Sequence, residues 1–260
     1  MTDLHLNFLK QKQIDRFIGE IANQHAQGVL IGGDIGEAGS IVPLLDTLST
    51  SLHCPIYFVL GNHDFYHGSI KAVKQAVQEL ANSRSNLFWL PDSGVVEMSP
   101  TTALLGHGGW ADGGYGDFWN STVDLNDYHL IAELTDLPET QRLLKMRELA
   151  AQACDHFQHW LPLALQAYDH VYCLTHVPPF AESCWHEGEI SDQYHLPHFA
   201  SKLSGDALRS IMLLYPEKKL TVLCGHTHSS GEANVADNIT VLTGKAEYGK
   251  PEIQRILEVT

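Results

Sequence analysis

The stretch PIYFVLGNHD (residues 55–64) combines the two features that decide the fold of this chain. Its first part, Pro55–Leu60, is a short, β-rich apolar run, which is typical of a strand buried on both faces. Polar side chains suited to chemistry follow at once in Gly61-Asn62-His63-Asp64. In an open α/β sheet, residues in this position line a crevice at the carboxyl ends of the strands. The stretch therefore predicts a buried strand that delivers side chains to a site.

The same pattern recurs along the chain. Further apolar runs predict strands at Gly28–Ile31, Ala103–Leu105, His170–Leu174, Leu220–Cys224 and Ile239–Leu242. Amphipathic patterns between them predict helices at Phe8–Gln27, Ile41–Leu48, Ser69–Ala81, Gln141–Tyr168 and Gly205–Leu214. This alternation favours an α/β fold with largely parallel pairing early in the chain. Residues 115–138 lack a clear period and are interpreted as an irregular insertion near a site. No repeat or linker interrupts the pattern, so we predict one domain over residues 1–260.

Composition limits the classes of partner and location. The chain has 31 acidic and 16 basic residues, a formal net charge of -15, which disfavours general nucleic-acid binding. No stretch approaches the roughly 20 apolar residues of a membrane span. The first ten residues lack the pattern of a signal peptide. The five cysteines are odd in number and scattered, which favours a reducing compartment and a cytoplasmic location.

Five motifs carry the residues of chemical interest. They are Asp3-Leu4-His5, Gly32-Gly33-Asp34, Gly61-Asn62-His63-Asp64, Thr175-His176 and Gly225-His226-Thr227-His228. Imidazole nitrogens suit Zn, Fe and Ni, while carboxylate and amide oxygens suit harder ions such as Mn. Taken singly, each motif has an ordinary explanation: Gly-Gly-Asp is usually a turn, and Asp-Leu-His occurs often by chance. Taken together, three carboxylates, one asparagine and five histidines predict a centre for two adjacent divalent ions.

In this order, the five motifs resemble those of the calcineurin-like metallophosphoesterases, and the match runs from Asp3 to His228. The resemblance implies a four-layer α-β-β-α sandwich of two mixed β-sheets flanked by helices. It also implies two divalent or mixed-valence metal ions, from Mn, Fe, Zn or Ni. The implied activity is hydrolysis of a phosphate monoester or diester, with a small phosphorylated molecule as substrate.

The resemblance assigns a role to each residue. One ion would be held by Asp3, His5 and His228, and the other by Asn62, His176 and His226, with Asp34 bridging the two. A hydroxide between the ions would attack the phosphate, and His63, oriented by Asp64, would give a proton to the leaving oxygen.

One departure concerns the amino terminus. The family has an apolar strand before Asp-x-His, whereas only Met1 and Thr2 precede Asp3 here. Either the start lies upstream or this strand is reduced to a stub. We expect a poorly ordered terminus, and therefore weaker binding of the ion held by Asp3, His5 and His228.

Other motifs are less informative. Residues 106–111, GHGGWA, loosely fit a dinucleotide-binding fingerprint, but the glycines that follow cannot open a helix well. We interpret this loop as lining the site, with His107 and Trp110 as candidate substrate contacts. Trp185-His186-Glu187 is a candidate pocket wall, or else an exposed loop.

Two alternative functions remain to be weighed against the hydrolase. A scaffold with the same fold but no catalysis would have no reason to retain His63 and all seven ligands. A nuclease would want a basic channel or a capping domain, which the net charge of -15 and the short chain after His228 do not favour.

Overall fold

The computed structural model describes residues 1–259, which form three sheets surrounded by helices. The strands are β1 Val29–Gly32, β2 Ile56–Val59, β3 Leu87–Trp89, β4 Val96–Ser99, β5 Thr102–Gly106, β6 His170–Leu174, β7 Trp185–His186, β8 Glu189–Ile190, β9 Lys219–Cys224, β10 Gly231–Ala236 and β11 Ile239–Thr243. The helices are α1 Gln11–Ala22, α2 Ile41–Ser51, α3 Ile70–Ser83, α4 Leu90–Ser93, α5 Asp127–Leu130, α6 Glu139–Ala167, α7 Leu196–Phe199 and α8 Lys202–Met212. Short 3₁₀ turns lie at Leu6–Phe8, His63–Phe65, Phe118–Asn120 and Ala181–Ser183.

The predicted α/β fold with parallel pairing early in the chain is confirmed. The smaller main sheet has the order β1-β2-β3, and both of its pairings are parallel. The larger sheet has the order β10-β11-β9-β6-β5-β4 and is mixed, because its four inner strands are parallel and its two edge strands are antiparallel. Strands β7 and β8 form a separate two-stranded hairpin.

All six predicted strands and all five predicted helices are present, with boundaries that differ by a few residues. The sequence did not predict five strands, namely β3, β4, β7, β8 and β10. The first has only three residues, and the burial of β10 shows no continuous apolar run. Both weak signals are overridden by pairing with a neighbouring strand, since β3 pairs with β2 and β10 with β11.

The apolar core has three clusters, as expected for layers of helices outside two packed sheets. One cluster joins α1, α2 and α3 to the three-stranded sheet. A second joins α6 and α8 to the six-stranded sheet. The third combines Val59 of one sheet with Leu104, Tyr172 and Leu174 of the other, so the two sheets pack against each other. Burial on both faces explains why the last four residues of β6, 171–174, form an unbroken apolar run.

The amino terminus is well anchored, contrary to expectation. It runs beside β1: the Met1 amino group donates to the Leu30 carbonyl at 2.8 Å, and Gly32 N donates to the Met1 carbonyl at 2.8 Å. The Gln254 side chain then pairs with both backbone groups of Thr2, at 2.9 and 2.8 Å. These bonds supply the order that the short terminus was expected to lack.

A cavity of about 840 Å³ lies beside this terminus. Residues of both main sheets and of the segment 252–259 line it, but none of the seven predicted metal ligands does. Within residues 1–259, no helix has the length and apolar character needed to cross a bilayer.

Candidate metal centre

The predicted ligands come from loops that leave the carboxyl ends of parallel strands. Asp34 follows β1, Asn62 follows β2, His176 follows β6, and His226 and His228 follow β9. The terminal segment joins this edge because Asp3 N donates to the Gly33 carbonyl at 3.0 Å and His5 N to the Asp34 carbonyl at 2.9 Å. Ligands separated by more than 220 positions in the sequence therefore meet in one crevice.

Five of the seven predicted ligands have a left-handed backbone. Their φ angles are 53° at Asp3, 44° at His5, 51° at Asp34, 73° at His226 and 58° at His228. Such angles are uncommon outside glycine, although Asp and His tolerate them better than most residues. Strain of this kind costs on the order of 1 kcal/mol or more per residue and clusters at functional sites. The tight turns aim side chains from adjacent loops at one point.

Two glycines allow the ligand loops to approach each other. A Cβ at Gly61 would collide with Asp34 Oδ1 and lie 2.7 Å from His176 Cε1. A Cβ at Gly225 would collide with Asp3 Oδ2 and the Thr2 hydroxyl. Glycine is therefore required at both positions for the carboxylates to occupy their places.

The first group of ligands is compact and mostly buried. One donor atom from each of Asp3, His5, Asp34 and His228 lies within 4.8 Å of all the others. The Nε2 atoms of His5 and His228 are 3.1 Å apart, and His228 Nε2 is 3.4 Å from Asp3 Oδ1. Ligands at right angles and about 2.1 Å from an ion would be about 3 Å from each other, so these distances fit a shared cation.

The second group consists of Asn62, His176 and His226. Asn62 Oδ1 is 3.0 Å from both His176 Nε2 and His226 Nδ1, and the two nitrogens are 3.2 Å apart. His176 Nδ1 lies 2.9 Å from the Gly32 carbonyl, which fixes the proton on Nδ1 and leaves the Nε2 lone pair for a ligand. This group has the separations of a second cation site.

Asp34 lies between the two groups. Its Oδ2 atom is 3.8 Å from His5 Nε2 in the first group and 3.5 Å from His176 Nε2 in the second. This oxygen is buried and accepts no hydrogen bond from residues 1–259. A buried carboxylate oxygen without a partner is costly, and cations on either side would satisfy it. The donor set therefore fits two ions with Asp34 between them.

The electrostatics of the polypeptide alone favour neutral imidazoles and disfavour a charged Asp34. Burial lowers the pKa values of His5 and His226 to about 3, so both rings keep a lone pair for metal at neutral pH. Burial, followed by the charges of Asp3 and Asp64, raises the pKa of Asp34 well above its usual value. For Asp3, burial is outweighed by His176, His228 and the Thr2 hydroxyl, and its pKa is lowered.

His63 lies at the edge of the cluster with its side chain 16% exposed. Its Nε2 atom is 4.0 Å from Asp34 Oδ2, and its backbone N–H donates to Asp34 Oδ1 at 2.9 Å. The ring stacks on Tyr66 with centroids 4.1 Å apart. Burial, followed by the neighbouring histidines His5 and His176, lowers the pKa of His63 to about 2.

Asp64 does not orient His63 as the resemblance implied. Its two carboxylate oxygens accept from four backbone amides, at Asp34, Ile35, Gly36 and Gly61, over 2.9–3.0 Å. Among residues 1–259 it makes no hydrogen bond to the His63 ring. Asp64 instead ties the loop after β1 to the loop after β2, because both of its oxygens are already engaged by amides. Burial raises the pKa of Asp64 to about 7, although the amide hydrogen bonds act to lower it.

The sequence did not identify the residues that orient Asn62. Asn62 Nδ2 donates to Asp127 Oδ1 at 2.7 Å, and the Tyr66 hydroxyl donates to the same oxygen at 2.6 Å. Because Asp127 holds the amide nitrogen, Asn62 Oδ1 faces His176 and His226. Asp127 belongs to the insertion at residues 115–138, and no local motif marks it.

Replacement of Asp127 by alanine should weaken one ion selectively. Loss of an outer-shell partner of this kind typically costs about 10- to 100-fold in metal affinity. We expect that loss at the site formed by Asn62, His176 and His226. Calorimetric titration of Asp127→Ala with Mn²⁺ would measure it, with Asp124→Ala, an exposed aspartate paired with His129, as the control. Two unchanged binding constants in Asp127→Ala would show that Asn62 needs no such partner.

The predicted substrate contacts, His107 and Trp110, lie away from the ligands. His107 Nδ1 accepts from Gly109 N at 3.1 Å, and its ring packs 5.6 Å from His156. Trp110 is 6% exposed and packs 6.1 Å from Phe65. Neither ring contacts a predicted ligand within residues 1–259, so the geometry does not support a substrate contact. The loop instead holds the backbone of His176, whose N–H donates to the Gly108 carbonyl at 2.9 Å.

Comparisons with solved structures agree with this architecture. Phosphopantetheinyl hydrolase from Mycobacterium tuberculosis has a TM-score of 0.62 at 14% identity, over 94% of this chain and 88% of that chain. A dimetal phosphatase from Danio rerio has a TM-score of 0.55 at 15% identity, over 89% and 76%. GAP50, the anchor in the inner membrane complex of Plasmodium, has a TM-score of 0.53 at 13% identity, over 100% and 74%. At these identities the likeness concerns the fold alone.

Sequence comparison gives the family directly. No curated protein sequence matches this chain significantly. The family model of the calcineurin-like phosphoesterases, however, matches residues 1–230, a range that covers most of the chain and contains the positions of all seven predicted ligands. This chain therefore belongs to the calcineurin-like phosphoesterase family.

Proposed function

We propose that this protein is a hydrolase of phosphate monoesters or diesters that works with two metal ions. The observation that carries the proposal is the position of Asp34 Oδ2, a buried and unsatisfied carboxylate oxygen between two groups of ligands. Membership in the phosphoesterase family supports the same conclusion. The substrate is expected to be a small phosphorylated molecule, since a net charge of -15 disfavours polyanions.

The two ions, when bound, supply charge neutralisation for the phosphate and an activated water. The protein fixes where they bind. Asp3, His5 and His228 would hold one ion, Asn62, His176 and His226 would hold the other, and Asp34 would serve both. Because the loops are strained and tied by Asp64, the donors are held in place before substrate arrives, which lowers the reorganisation needed during the reaction.

His63 is the residue best placed to protonate the leaving oxygen. It is partly exposed at the edge of the cluster, and its imidazole belongs to neither of the two groups of donor atoms. With a pKa of about 2 in the polypeptide alone, the ring is neutral near pH 7. It would take up a proton together with the anionic phosphate, whose charge raises the pKa of a nearby imidazole. Stacking on Tyr66 restricts its orientation.

A scaffold without catalysis fits the geometry less well. Left-handed backbone at five ligands and an unpaired buried carboxylate both cost stability. A protein that served only as a scaffold would gain nothing from these features, whereas in a metal centre the turns would orient donor atoms and the cations would satisfy the carboxylate.

Removal of metal should abolish the activity. We expect the purified protein to hydrolyse an aryl phosphate or an aryl phosphodiester, to lose this activity with a chelator, and to regain it with Mn²⁺ or a similar ion. A panel of monoesters and diesters assayed with the same preparation would give the preference between them. Full activity after thorough metal removal, verified by elemental analysis, would exclude the proposed mechanism.

A further inference from the structure

Two exposed aromatic side chains lie at the open edge of the metal centre. Phe8 belongs to the 3₁₀ turn that follows His5, and Tyr248 belongs to the segment 244–250 after β11. Phe8 is 55% exposed and Tyr248 is 47% exposed. Their rings are 5.1 Å apart with an interplanar angle of 61°. Sequence analysis indicated a role in the site for neither residue.

The Tyr248 ring contacts the predicted ligands directly. Its centroid is 4.5 Å from that of His5, 5.0 Å from that of His228 and 6.1 Å from that of His63. The backbone beside it is tied to the ligand loop, because Ala246 N donates to the His228 carbonyl at 3.1 Å. The ring is therefore held next to the centre by both its packing and its backbone.

Tyr248 presents a neutral ring and a free hydroxyl to the site. An unperturbed tyrosine has a pKa of about 10, so its phenol carries no charge at neutral pH. Within residues 1–259 the hydroxyl makes no hydrogen bond. Tyr248 thus differs from the buried Tyr66, whose hydroxyl is bonded to Asp127.

The position of His63 shows which part of a substrate would meet these rings. If His63 protonates the leaving oxygen, that oxygen must lie within hydrogen-bond reach of its imidazole. The group attached to the oxygen then extends from His63 toward open solvent. Tyr248, at 6.1 Å from His63, and its neighbour Phe8 lie along the same edge.

We propose that Phe8 and Tyr248 form an aromatic wall that binds the leaving group, and that the preferred substrates carry a planar aromatic or heteroaromatic ring close to the ester oxygen. This inference rests on the proposed function, which defines the leaving group. Aromatic pairs gain attraction beyond the area they bury, through edge-to-face and offset contacts that a puckered ring cannot make. The expected preference for a planar over a puckered ring is about three- to tenfold.

The test compares ligands that differ only in planarity. Benzylphosphonate and cyclohexylmethylphosphonate would be titrated calorimetrically into the Mn²⁺-loaded protein, because phosphonates report binding without turnover. Benzyl phosphate and cyclohexylmethyl phosphate would be compared by kcat/KM, since both release a primary alcohol. We expect about three- to tenfold tighter binding of benzylphosphonate and a similar ratio of kcat/KM values.

Variants of the two aromatic residues test whether the wall causes the preference for the planar ring. Tyr248→Leu and Phe8→Leu should each bring the ratio close to one, while Tyr248→Phe should keep it. Tyr168→Leu is the matched control, because Tyr168 adjoins the amino end of β6, whereas His176 follows the carboxyl end. Since both ligands are measured on the same preparation, a general loss of folding or metal would leave the ratio unchanged.

The outcomes separate this inference from the proposed function. Equal binding of the two phosphonates to the wild type, or a preference that survives in both leucine variants, would overturn the aromatic wall. A phosphonate preference that the leucine variants lose, without hydrolysis of any ester, would support the wall and overturn the proposed activity. Hydrolysis of the esters without a preference for the planar ring would support the proposed activity and overturn the aromatic wall.

Discussion

Replacement of Asp34 by asparagine should deprive the protein of both ions and bring turnover to background. Asparagine keeps an oxygen that can accept the His63 N–H, but it removes the charge and the Oδ2 atom that lies between the ligand groups. A carboxylate between two cations offsets their mutual repulsion, so its loss weakens both sites at once. The loss of metal affinity should be larger than the loss of about 10- to 100-fold that is typical when an outer-shell partner is removed.

Stability provides a second measurement on Asp34→Asn. The pKa of Asp34 is raised by burial and by nearby carboxylates, so its folded pKa lies above its unfolded pKa. When no cation is present, Asp34 therefore lowers the free energy of unfolding at any pH above its unfolded pKa, which includes neutral pH. After chelation, the variant should be as stable as the wild type or more stable. Added Mn²⁺ should then raise the melting temperature of the wild type and not that of the variant.

Another buried aspartate serves as the control for Asp34→Asn. Asp112 is 2% exposed and accepts from Gly114 N at 2.8 Å, outside the ligand cluster. Asp112→Asn should retain its full metal content by elemental analysis. If Asp34→Asn also retained two ions per chain, Asp34 would not bridge the sites.

The sequence could indicate candidate ligands because five of the seven follow a predicted strand and all seven belong to local motifs. Asp34, Asn62, His176 and His226 stand directly after apolar runs, and parallel pairing brings such positions together without further information. Their order along the chain was enough to suggest the family. Distances between donors, and the position of Asp34 between the two groups, depend on sheet packing and came only with the structure.

Residues that act through long-range contacts could not be predicted. Asp127 lies 65 positions from Asn62 in a segment without periodicity, and Tyr248 lies far beyond the last motif. Asp64 was given the wrong partner, because a motif specifies the position of a carboxylate but not the amides that fold around it. The expectation of a poorly ordered terminus was wrong for the same reason. Gln254, 252 positions from Thr2, supplies hydrogen bonds that no local sequence pattern reveals.

Replacement of His63 by alanine should leave metal binding intact and remove most turnover. The side chain is not placed among the predicted ligands, and its backbone N–H, which holds Asp34, is retained in the variant. If His63 is the general acid, turnover should fall on the order of 10²–10⁴-fold. Elemental analysis would verify two ions per chain before the kinetics are measured.

The dependence on the leaving group distinguishes acid catalysis from a merely structural role of His63. A phenol with a low pKa leaves without a proton, whereas an alkyl alcohol needs one, so the loss in His63→Ala should be small for activated aryl esters and large for alkyl esters. The control is His156→Ala, which removes a partly buried histidine packed on His107. This variant should hydrolyse both aryl and alkyl esters at the wild-type rate. Equal losses for aryl and alkyl esters in His63→Ala would mean that the imidazole positions substrate or ions and does not donate the proton.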